Sequence, residues 1–550
     1  MNGSKTIRKL AAGIVSAVVL AICFFGHLGA LGLVGPDEPR YAWIARAMAE
    51  TGDWITPRLY GQPWYEKPIL YYWSAAIGFR FFHSPEWAAR LPSAIAALAA
   101  ALAVAWLAIR FYDEKTAWAT LLIFPTTAGA IGFARAATPD MELSAALTLA
   151  MASAAEILRR AGALRHTEVD ARPRCAGPSD YLGLIFWGAW LGVATLAKGP
   201  AAIILPGGSI VLWALATQRW ALLLRLAHPL AVCSFCVVAL PWYVLCALRN
   251  PDFVRTFLFF HNVERYLTPV FQHRQPFWFF GPILLLALFP WTALLAGVLL
   301  EGWKLWPQED WRDSPGFFLA CWAIFPVLFF SFSQSKLPGY VLPVIPAFSL
   351  LVAVSAARAI EETSRVSGWM FVAVGLTWIA GLMAPVAGWL KFLPPSISRQ
   401  LTKQIYSMLE AAAIVGILII VLAMSRRRWM ALALSALLSA ALVEAAHRRV
   451  LPRLDPYIST RETAIGWEKM PEVRDALRSY ELQRSWYFGL NFYFRRELPE
   501  LDPHDPDGGY VITNTKGIRD LYQAGRVLRV PEASGISPEA WEIVLCPAPH

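Results

Sequence analysis

The chain has 550 residues, of which 57% are hydrophobic and only 16% are charged, and its mean hydropathy is +0.45. Soluble domains carry roughly 25% charged residues, so this composition excludes a soluble globular protein and indicates a polytopic membrane protein. The formal net charge of +10 is spread over many short loops and forms no basic stripe. This pattern argues against nucleic acid as a partner.

The apolar segments predict about thirteen transmembrane helices, since a span needs roughly 20 mainly apolar residues. The apolar run of the first segment exceeds the signal-peptide core of roughly 7–15 residues, so we interpret it as an uncleaved span. The predicted spans lie near residues 10–34, 90–111, 116–136, 140–158, 180–198, 200–216, 222–247, 277–300, 315–332, 337–356, 368–390, 409–425 and 429–446.

Lysine and arginine residues predict the orientation, because they concentrate in cytoplasmic loops. Basic residues before the first span, at Arg159 and Arg160 and at 426–428 place the N-terminus inside. An odd number of spans then places the C-terminal residues outside. The protein is therefore expected to be a multi-pass membrane protein.

Two domains are predicted, a transmembrane domain over residues 1–446 and a soluble α/β domain over residues 447–550 that faces the periplasm. The second domain is richer in Pro, Asp, Arg and Glu. Its expected elements are strand-like runs at 510–513, 527–530 and 541–545 and a helical stretch near 517–524.

Two outer segments, residues 35–89 and 248–276, are long enough to carry function. Within the first, residues 71–82 are aromatic and too short to span. Tryptophan and tyrosine prefer the membrane interface, so a helix lying in that interface is predicted there.

The predicted outer face holds acids and bases together, and the inner face offers no comparable set. Leaving phosphate is stabilised by lysine and arginine, and a carboxylate can orient a nucleophile or accept its proton. With apolar helices to hold a lipid tail, the set favours a polyprenyl-phosphate sugar as donor. Its members are Asp37, Glu38, Arg40, Arg58, Glu66, Lys67, Arg135, Asp140, Lys198, His261, Glu264, Arg265, His273, Arg274, Lys336 and Tyr340.

Each of these residues also has a structural interpretation. Asp37 could cap the next helix, and Glu66 and Lys67 could form a solvated pair. Lys198 and Lys336 could be side chains that reach the interface from helix ends. The functional interpretation therefore depends on these residues converging at one place.

Several motifs resemble bacterial lipid A aminoarabinose transferases, which are related to protein mannosyltransferases and have the GT-C fold (glycosyltransferase family 83). The motifs follow the family's order over residues 37–343, and the later helices match only in general layout. They are Asp37-Glu38-Pro39-Arg40-Tyr41-Ala42, Gly52-Asp53-Trp54, Pro57-Arg58-Leu59, Glu66-Lys67-Pro68, Asp140-Met141, Lys198-Gly199-Pro200, Arg265-Tyr266, Gln275-Pro276-Phe277-Trp278 and the run from Ser335 to Pro343.

The resemblance implies an inverting transfer of a sugar, 4-amino-4-deoxy-L-arabinose or a hexose, from undecaprenyl phosphate on the periplasmic face. The acceptor would be lipid A or another envelope glycan or protein, and no nucleotide cofactor is expected. Asp37 would be the catalytic or acceptor-orienting carboxylate, and Asp140 a second acid. The candidates to bind the donor phosphate or the substrate are Arg40, Arg58, Glu66, Lys67, Lys198, Arg265, Lys336 and Tyr340.

The resemblance also suggests a divalent metal ion, because some relatives hold one with a glutamate and a histidine. Glu66 and His261 are the matching residues here. The match at His261 is imperfect, since Phe260 precedes it where relatives often have glutamate. Pro139 likewise precedes Asp140 where relatives commonly have threonine, and a proline there fits the start of a helix.

Two alternatives stay open at this stage. A relative could transfer mannose or another hexose from a polyprenyl phosphate to a protein or glycan. A lipid or sugar transporter would belong to a different class, but it would place ionisable residues near the membrane midplane and often repeat its halves. Here acids are nearly absent from the centres of the spans, Glu410 and Glu444 lie near span ends, and no repeat is evident.

Overall fold

Apolar α-helices make up most of the chain, as a computed structural model shows. The structure describes residues 2–164, 178–264, 274–305, 309–362, 365–502, 509–524 and 541–546. Helices of the N-terminal half are α1 (Asn2–Leu20), α2 (Asp37–Thr51), α3 (Leu70–Phe81), α4 (Pro85–Phe111), α5 (Glu114–Ile123), α6 (Ala128–Ala134), α7 (Asp140–Arg160), α8 (Pro178–Lys198), α9 (Ala201–Thr217), α10 (Ala221–Leu226) and α11 (Pro229–Arg249).

The second half continues the bundle and ends in a small mixed region. Its bundle helices are α12 (Phe280–Ala287), α13 (Leu295–Leu305), α14 (Pro315–Ser331), α15 (Ile345–Glu361), α16 (Arg365–Ala380), α17 (Val386–Trp389), α18 (Pro395–Met424) and α19 (Arg428–Ala445). The helices that follow are α20 (Leu451–Ile458), α21 (Arg461–Glu468), α22 (Pro471–Ala476), α23 (Arg484–Phe494) and α24 (Thr515–Gln523).

Short 3₁₀ and π segments interrupt or extend these helices. The π segments are Ala21–Phe25, Arg255–Glu264 and Ala446–Val450. The 3₁₀ segments are Phe124–Thr126, Phe277–Phe279, Trp291–Leu294, Glu309–Asp313, Pro338–Val344 and Gly381–Met383.

A polytopic membrane protein is confirmed, although the predicted count of thirteen spans is not. Among the described residues, seven helices are long and apolar enough to cross a membrane, or up to nine if each bent pair forms one span. Shorter apolar helices stand at the other predicted positions: Lys9–Phe25, Ala201–Thr217, Pro315–Ser331 and Gly368–Met383.

Two predicted spans are sharply bent. The span expected at 116–136 turns by 62° between α5 and α6, and the span expected at 277–300 turns by 109° between α12 and α13. Pro125 and Pro290 stand at these breaks. Proline lacks the N–H that a continuing helix needs, so these positions are compatible with a break.

The outer segment 35–89 folds into two helices and a hairpin. Strands β1 (Arg58–Leu59) and β2 (Gln62–Pro63) pair antiparallel. Tyr60 and Gly61 join them with positive φ values of 51° and 82°, as a two-residue turn of a hairpin requires. Helix α3 lies where a helix was predicted at residues 71–82, and its place at the membrane interface stays a prediction.

Helices α8 and α11 hold this outer segment in place. Trp242 Nε1 donates to the carbonyl of Ile55 at 2.9 Å, and Asn250 Nδ2 donates to Thr56 Oγ1 at 3.0 Å. An aromatic core shared by α2, α3, α11 and α23 lies beneath it. These hydrogen bonds and the packed aromatic rings connect the outer segment to the bundle helices.

The C-terminal region carries a three-stranded sheet of β3 (Leu477–Ser479), β4 (Gly509–Asn514) and β5 (Trp541–Cys546). Strand β4 pairs parallel with β3 and antiparallel with β5. The predicted strands near 510–513 and 541–545 and the helix near 517–524 are present, and the strand expected at 527–530 lies outside the described residues. The expected boundary after residue 446 falls inside a helix that runs from Arg428 to Ile458.

Candidate active site

The two acids that begin α2 point in different directions, because neighbouring helical residues are about 100° apart. Glu38 is buried, and its Oε2 lies 2.7 Å from Arg90 Nη2 and accepts from the N–H of Val34 at 2.9 Å. Its Oε1 accepts from the N–H of Ala137 at 2.7 Å. The side chain of Asp37 is 53% exposed and is the acid left open to a substrate.

Arg40 joins Asp37 to the Glu66-Lys67 pair. Its Nη2 lies 2.6 Å from Asp37 Oδ1 and 2.9 Å from Glu66 Oε2, and the Arg40 side chain is only 4% exposed. Lys67 Nζ lies 3.3 Å from the other oxygen of Glu66. The loop after the hairpin therefore brings an acid and a base back to the start of α2.

Aromatic rings hold the guanidinium of Arg40. Its central carbon lies 5.1 Å from the ring centroid of Tyr41 and 5.5 Å from those of Trp64 and Phe488. Burial alone would lower the pKa of Arg40, but the adjacent acids, Glu66 foremost, raise the pKa above its ordinary value. Arg40 is thus a fixed positive charge that orients carboxylates.

A second acid–base pair forms where α7 begins and α8 ends. Asp140 is the first residue of α7, and its Oδ1 accepts a hydrogen bond from Nζ of Lys198, the last residue of α8. The helix dipole favours a carboxylate at the first position and an ammonium at the last. Gly199 has a φ of 80°, which allows the chain to turn sharply from α8 into α9.

The two pairs are neighbours. The charge of Lys67 acts on Asp140 as well as on Glu66, and Lys198 Nζ lies 5.3 Å from the ring centroid of Tyr340. We define the carboxylate–cation cluster as the six residues Asp37, Arg40, Glu66, Lys67, Asp140 and Lys198.

The Pro338–Val344 segment closes one side of the cluster. A Cβ added at Gly339 would lie 3.6 Å from Asp140 Oδ1, so the backbone runs directly past this acid. Lys336 is buried, and its Nζ donates to the carbonyls of Ser333 at 2.7 Å and Gln275 at 3.0 Å. Within the described parts of the chain Lys336 pairs with no carboxylate, which leaves its positive charge available for an anion.

Arg58 lies apart from this cluster. Its Nε lies 3.4 Å from Asp53 Oδ2, and its Nη1 donates to the carbonyl of Gly61 at 3.1 Å. Asp53 also lies 3.4 Å from Arg249. These contacts support the hairpin, and the role of Arg58 toward the donor phosphate stays a prediction.

Asp53 permits a prediction about pH. Burial is the largest single effect and acts to raise the pKa of Asp53, but hydrogen bonds from the N–H groups of Thr56 and Ile55 and from Arg58 together lower the pKa below its ordinary value. The contribution of Asp53 to the stability of the folded protein is therefore present above the pKa that Asp53 has in the unfolded chain. It is lost as the pH falls through the lower pKa that Asp53 has in the folded protein. We expect Asp53→Asn to lower the thermal unfolding midpoint at pH 7, with the difference from the parent protein shrinking in strong acid. An equal difference at both pH values would contradict this role.

Whether Glu66 and His261 hold a metal ion stays a prediction. Arg40 and Lys67 already neutralise Glu66, and His261 lies in a π segment beside Phe260, with ring centroids 5.0 Å apart. Within the described ranges no three His, Cys, Asp or Glu side chains gather as metal ligands would, whereas zinc sites use at least three protein ligands. Arg265, also expected at the site, lies outside the described residues.

Several supporting residues were not predicted. Arg90 stands one turn inside an apolar helix, and since a charge there is costly unless paired, its position was an available signal. Phe488 and Trp64 hold Arg40, and Tyr72 packs on the ring of Tyr41 at 6.2 Å. No local pattern marks these aromatic residues, because their role comes from contacts between distant segments.

Comparison with known proteins gives the family. A model for dolichyl-phosphate-mannose-protein mannosyltransferases matches residues 11–257. Undecaprenyl phosphate-α-4-amino-4-deoxy-L-arabinose arabinosyl transferase of Edwardsiella ictaluri is 33% identical over 389 residues, 70% of this chain and 67% of that protein. The transferase of the same name from Aeromonas salmonicida is 33% identical over 356 residues, 64% of this chain and 61% of that protein.

The fold has a solved counterpart. A crystal structure of ArnT from Cupriavidus metallidurans, bound to undecaprenyl phosphate, superimposes with a TM-score of 0.78 at 23% identity and covers 97% of each chain. The similarity extends over the bundle and the C-terminal region, and it supports the predicted GT-C fold. The chain belongs to the aminoarabinose transferase family of lipid-phosphate-sugar-dependent membrane glycosyltransferases.

Proposed function

We propose that this protein transfers 4-amino-4-deoxy-L-arabinose from undecaprenyl phosphate to a phosphate of lipid A on the periplasmic face of a bacterial inner membrane. The observation that carries the proposal is the carboxylate–cation cluster, assembled from four separate segments at one end of an apolar bundle. The names of the relatives supply the donor and the sugar.

The cations of the site suit a phosphate leaving group. An acceptor phosphate oxygen forms a bond to C1 of the sugar on the face opposite the donor, and the bond from C1 to the donor phosphate oxygen breaks. The electron pair of the broken bond stays on undecaprenyl phosphate, where charge develops that Lys67, Lys198 and Lys336 can stabilise. Because a phosphate is already a nucleophile at neutral pH, no strong base is needed.

The carboxylates then position groups. Asp37 is exposed, and Arg40 fixes its orientation, so it can bind the charged 4-amino group of the sugar or the incoming acceptor. Asp140 is held by Lys198, and the charge of Lys67 also acts on it. An ordered set of charges reduces the reorganisation needed when charge moves in the transition state.

The direct test is incubation of purified protein with undecaprenyl-phosphate aminoarabinose and lipid A, with products measured by mass spectrometry. We expect lipid A to gain one aminopentose residue and the donor to be converted to undecaprenyl phosphate. Donor consumption without modified lipid A would overturn the choice of acceptor. No consumption of the donor by folded protein would overturn the proposal as a whole.

Lys67 is expected to act on the donor. Lys67→Ala should raise the KM for the undecaprenyl-phosphate sugar roughly tenfold, because one charge-assisted contact to phosphate is lost. The KM for lipid A should change little. Lys516→Ala is the matched control, since Lys516 is exposed and pairs with Glu481 in the C-terminal region. Unchanged donor kinetics in Lys67→Ala would show that Lys67 does not contact the phosphate.

A second candidate is a polyprenyl-phosphate-mannose-dependent transferase, which the match of residues 11–257 to the mannosyltransferase model favours. The same assay distinguishes the two when polyprenyl-phosphate mannose replaces the aminoarabinose donor. Faster turnover of the mannose donor, with a protein or glycan acceptor, would support this candidate over the first.

The orientation can be tested independently of activity. A cysteine introduced at exposed Glu462, in the first turn of α21, should react with a membrane-impermeant thiol reagent in intact spheroplasts. Protection there, with labelling only after lysis, would place the C-terminal region and the site on the cytoplasmic side.

A further inference from the structure

A second charged cavity lies away from the carboxylate–cation cluster. It has a volume of about 470 Å³ and lies between α2, the junction of α3 with α4, and the end of α23. Arg46, Arg80, His83 and Arg495 line it together with aromatic rings, and Glu50 is the one acid among its lining residues. The cavity therefore carries a net positive charge.

The arginines of this cavity form no salt bridge within the part of the chain that the structure describes. Arg46 is only 8% exposed, and its Nη2 donates to the carbonyl of Phe492 at 2.8 Å. In the described ranges none of Arg46, Arg80 and Arg495 forms an ion pair with a carboxylate. Burial, and to a lesser extent the charge of Arg495, lower the pKa of Arg46 to about 10 even though Glu50 acts in the other direction. An anion in the cavity would relieve this excess of positive charge.

Helix geometry separates this cavity from the transfer site. Arg46 follows Asp37 by nine positions on α2, which corresponds to about 13 Å along the axis and about half a turn around it. Arg40 faces the cluster, and Arg46 instead packs against Phe492, 4.2 Å from its ring centroid. The two sites therefore lie at different positions along and around α2.

An apolar groove adjoins the charged cavity. The groove has a volume of about 320 Å³, runs between α3, α4 and α7, and includes Ile77, Ile95 and Trp190 in its lining. Phe81 and Phe82 line both the groove and the cavity. Ile77, Phe81 and Ile95 are at least half exposed, at 50%, 75% and 54%, as side chains facing lipid would be.

We propose that cavity and groove together bind one anionic membrane phospholipid. The headgroup phosphate would contact Arg46, Arg80 and Arg495, which provide charge-assisted hydrogen bonds, and one acyl chain would lie in the groove past Phe81. Since Arg495 follows α23 and Arg80 belongs to α3, the lipid links the C-terminal region to the outer segment. The order of a polar cavity followed by an apolar groove matches a phosphate attached to a hydrocarbon chain.

Native mass spectrometry of the delipidated full-length protein in an uncharged detergent can test this proposal. The binding of phosphatidylglycerol is compared with the binding of phosphatidylcholine that has the same acyl chains. We expect one phosphatidylglycerol to bind roughly tenfold more tightly than phosphatidylcholine. The double variant Arg80→Gln, Arg495→Gln should lose this preference, and Ala99→Phe, which fills the groove, should weaken both lipids. Arg399→Gln is the matched control, an exposed arginine that donates to the Pro395 carbonyl of its own helix.

Several results would overturn the proposal. These are equal binding of the two lipids, unchanged preference in the double variant, or complete displacement of phosphatidylglycerol by inorganic phosphate alone. Occupancy by lipid A to the exclusion of phosphatidylglycerol would also reject it and would assign the cavity to the acceptor. The two exposed arginines can be changed without disturbing buried packing, and mass measurement needs no turnover, so the result is independent of the proposed transfer.

Discussion

Asp37→Asn is expected to slow sugar transfer by roughly a hundredfold or more, the usual range for a positioned catalytic carboxylate. Asn retains the size of the side chain but removes the charge that binds the sugar's amino group or orients the acceptor. Asp37 is exposed and its partner Arg40 keeps Glu66, so folding and membrane insertion should be unaffected. Initial rates at saturating donor and acceptor, with thermal unfolding of the same samples, measure both effects.

Glu462→Gln is the matched control for this prediction. Glu462 is also an exposed acid in the first turn of a helix, α21, but it lies outside the carboxylate–cation cluster. We expect the Glu462→Gln variant to transfer sugar at the same rate as the parent protein. A rate for Asp37→Asn within a few-fold of the parent would remove Asp37 from the mechanism, and a parallel loss in Glu462→Gln would indicate a general effect of charge on the outer face.

Arg90→Met is expected to have the largest effect on stability, a loss of about 3–5 kcal/mol, because it leaves a buried carboxylate without its partner. Arg90 Nε lies 3.1 Å from Glu38 Oε1, and its Nη atoms also donate to the carbonyls of Leu28, Leu31 and Gly32. Methionine matches the apolar stem but satisfies none of these acceptors. The free energy of unfolding, measured in detergent with denaturant, gives the loss.

Two further variants make this measurement specific. Arg110→Met changes another arginine of α4 whose side chain is 37% exposed and pairs with Glu156, and it should cost less than about 1 kcal/mol. Glu38→Gln combined with Arg90→Met should recover part of the loss, because no buried charge is left unpaired. If Arg90→Met lowered the free energy of unfolding no more than Arg110→Met does, the Arg90–Glu38 pair would not be important for the fold.

This pair matters for the site because it fixes the start of α2. Glu38 accepts from the N–H groups of Val34 and Ala137, so it joins the first loop to the turn before α7. Asp37 and Asp140 stand next to these anchored positions. Glu38, which has a structural role, therefore sets the spacing between Asp37 and Asp140, which have predicted functional roles.

The family and the general site could be predicted from the sequence because the charged motifs are local and rare in an apolar chain. Asp37-Glu38, Glu66-Lys67 and Lys198-Gly199 stand at the ends of apolar segments, where ionisable residues are costly unless used. The motifs could not show which of their residues have a functional role and which have a structural role. Asp37 and Glu38 are adjacent acids, and only packing against Arg90 shows that one is structural.

The bends of the bundle could not be predicted from its prolines. Pro92, Pro206, Pro241 and Pro326 all lie inside continuous helices, whereas Pro125 and Pro290 stand at the sharp breaks. Proline removes one helical hydrogen bond in every case. Whether the chain continues or turns is decided by how neighbouring helices satisfy the freed carbonyl and fill the space.

The sequence by itself determined that this is a many-helix membrane protein with acids and cations collected at one end, since hydrophobic runs and charged loops are local properties. The tertiary structure decided which charges meet. Arg40 with Glu66, Lys198 with Asp140 and Arg90 with Glu38 are pairs between separate segments, and their partners depend on distances that only the packed helices set. Electrostatic interactions weaken steeply with distance and solvent exposure, so function at this site follows from the fold and not from the motifs alone.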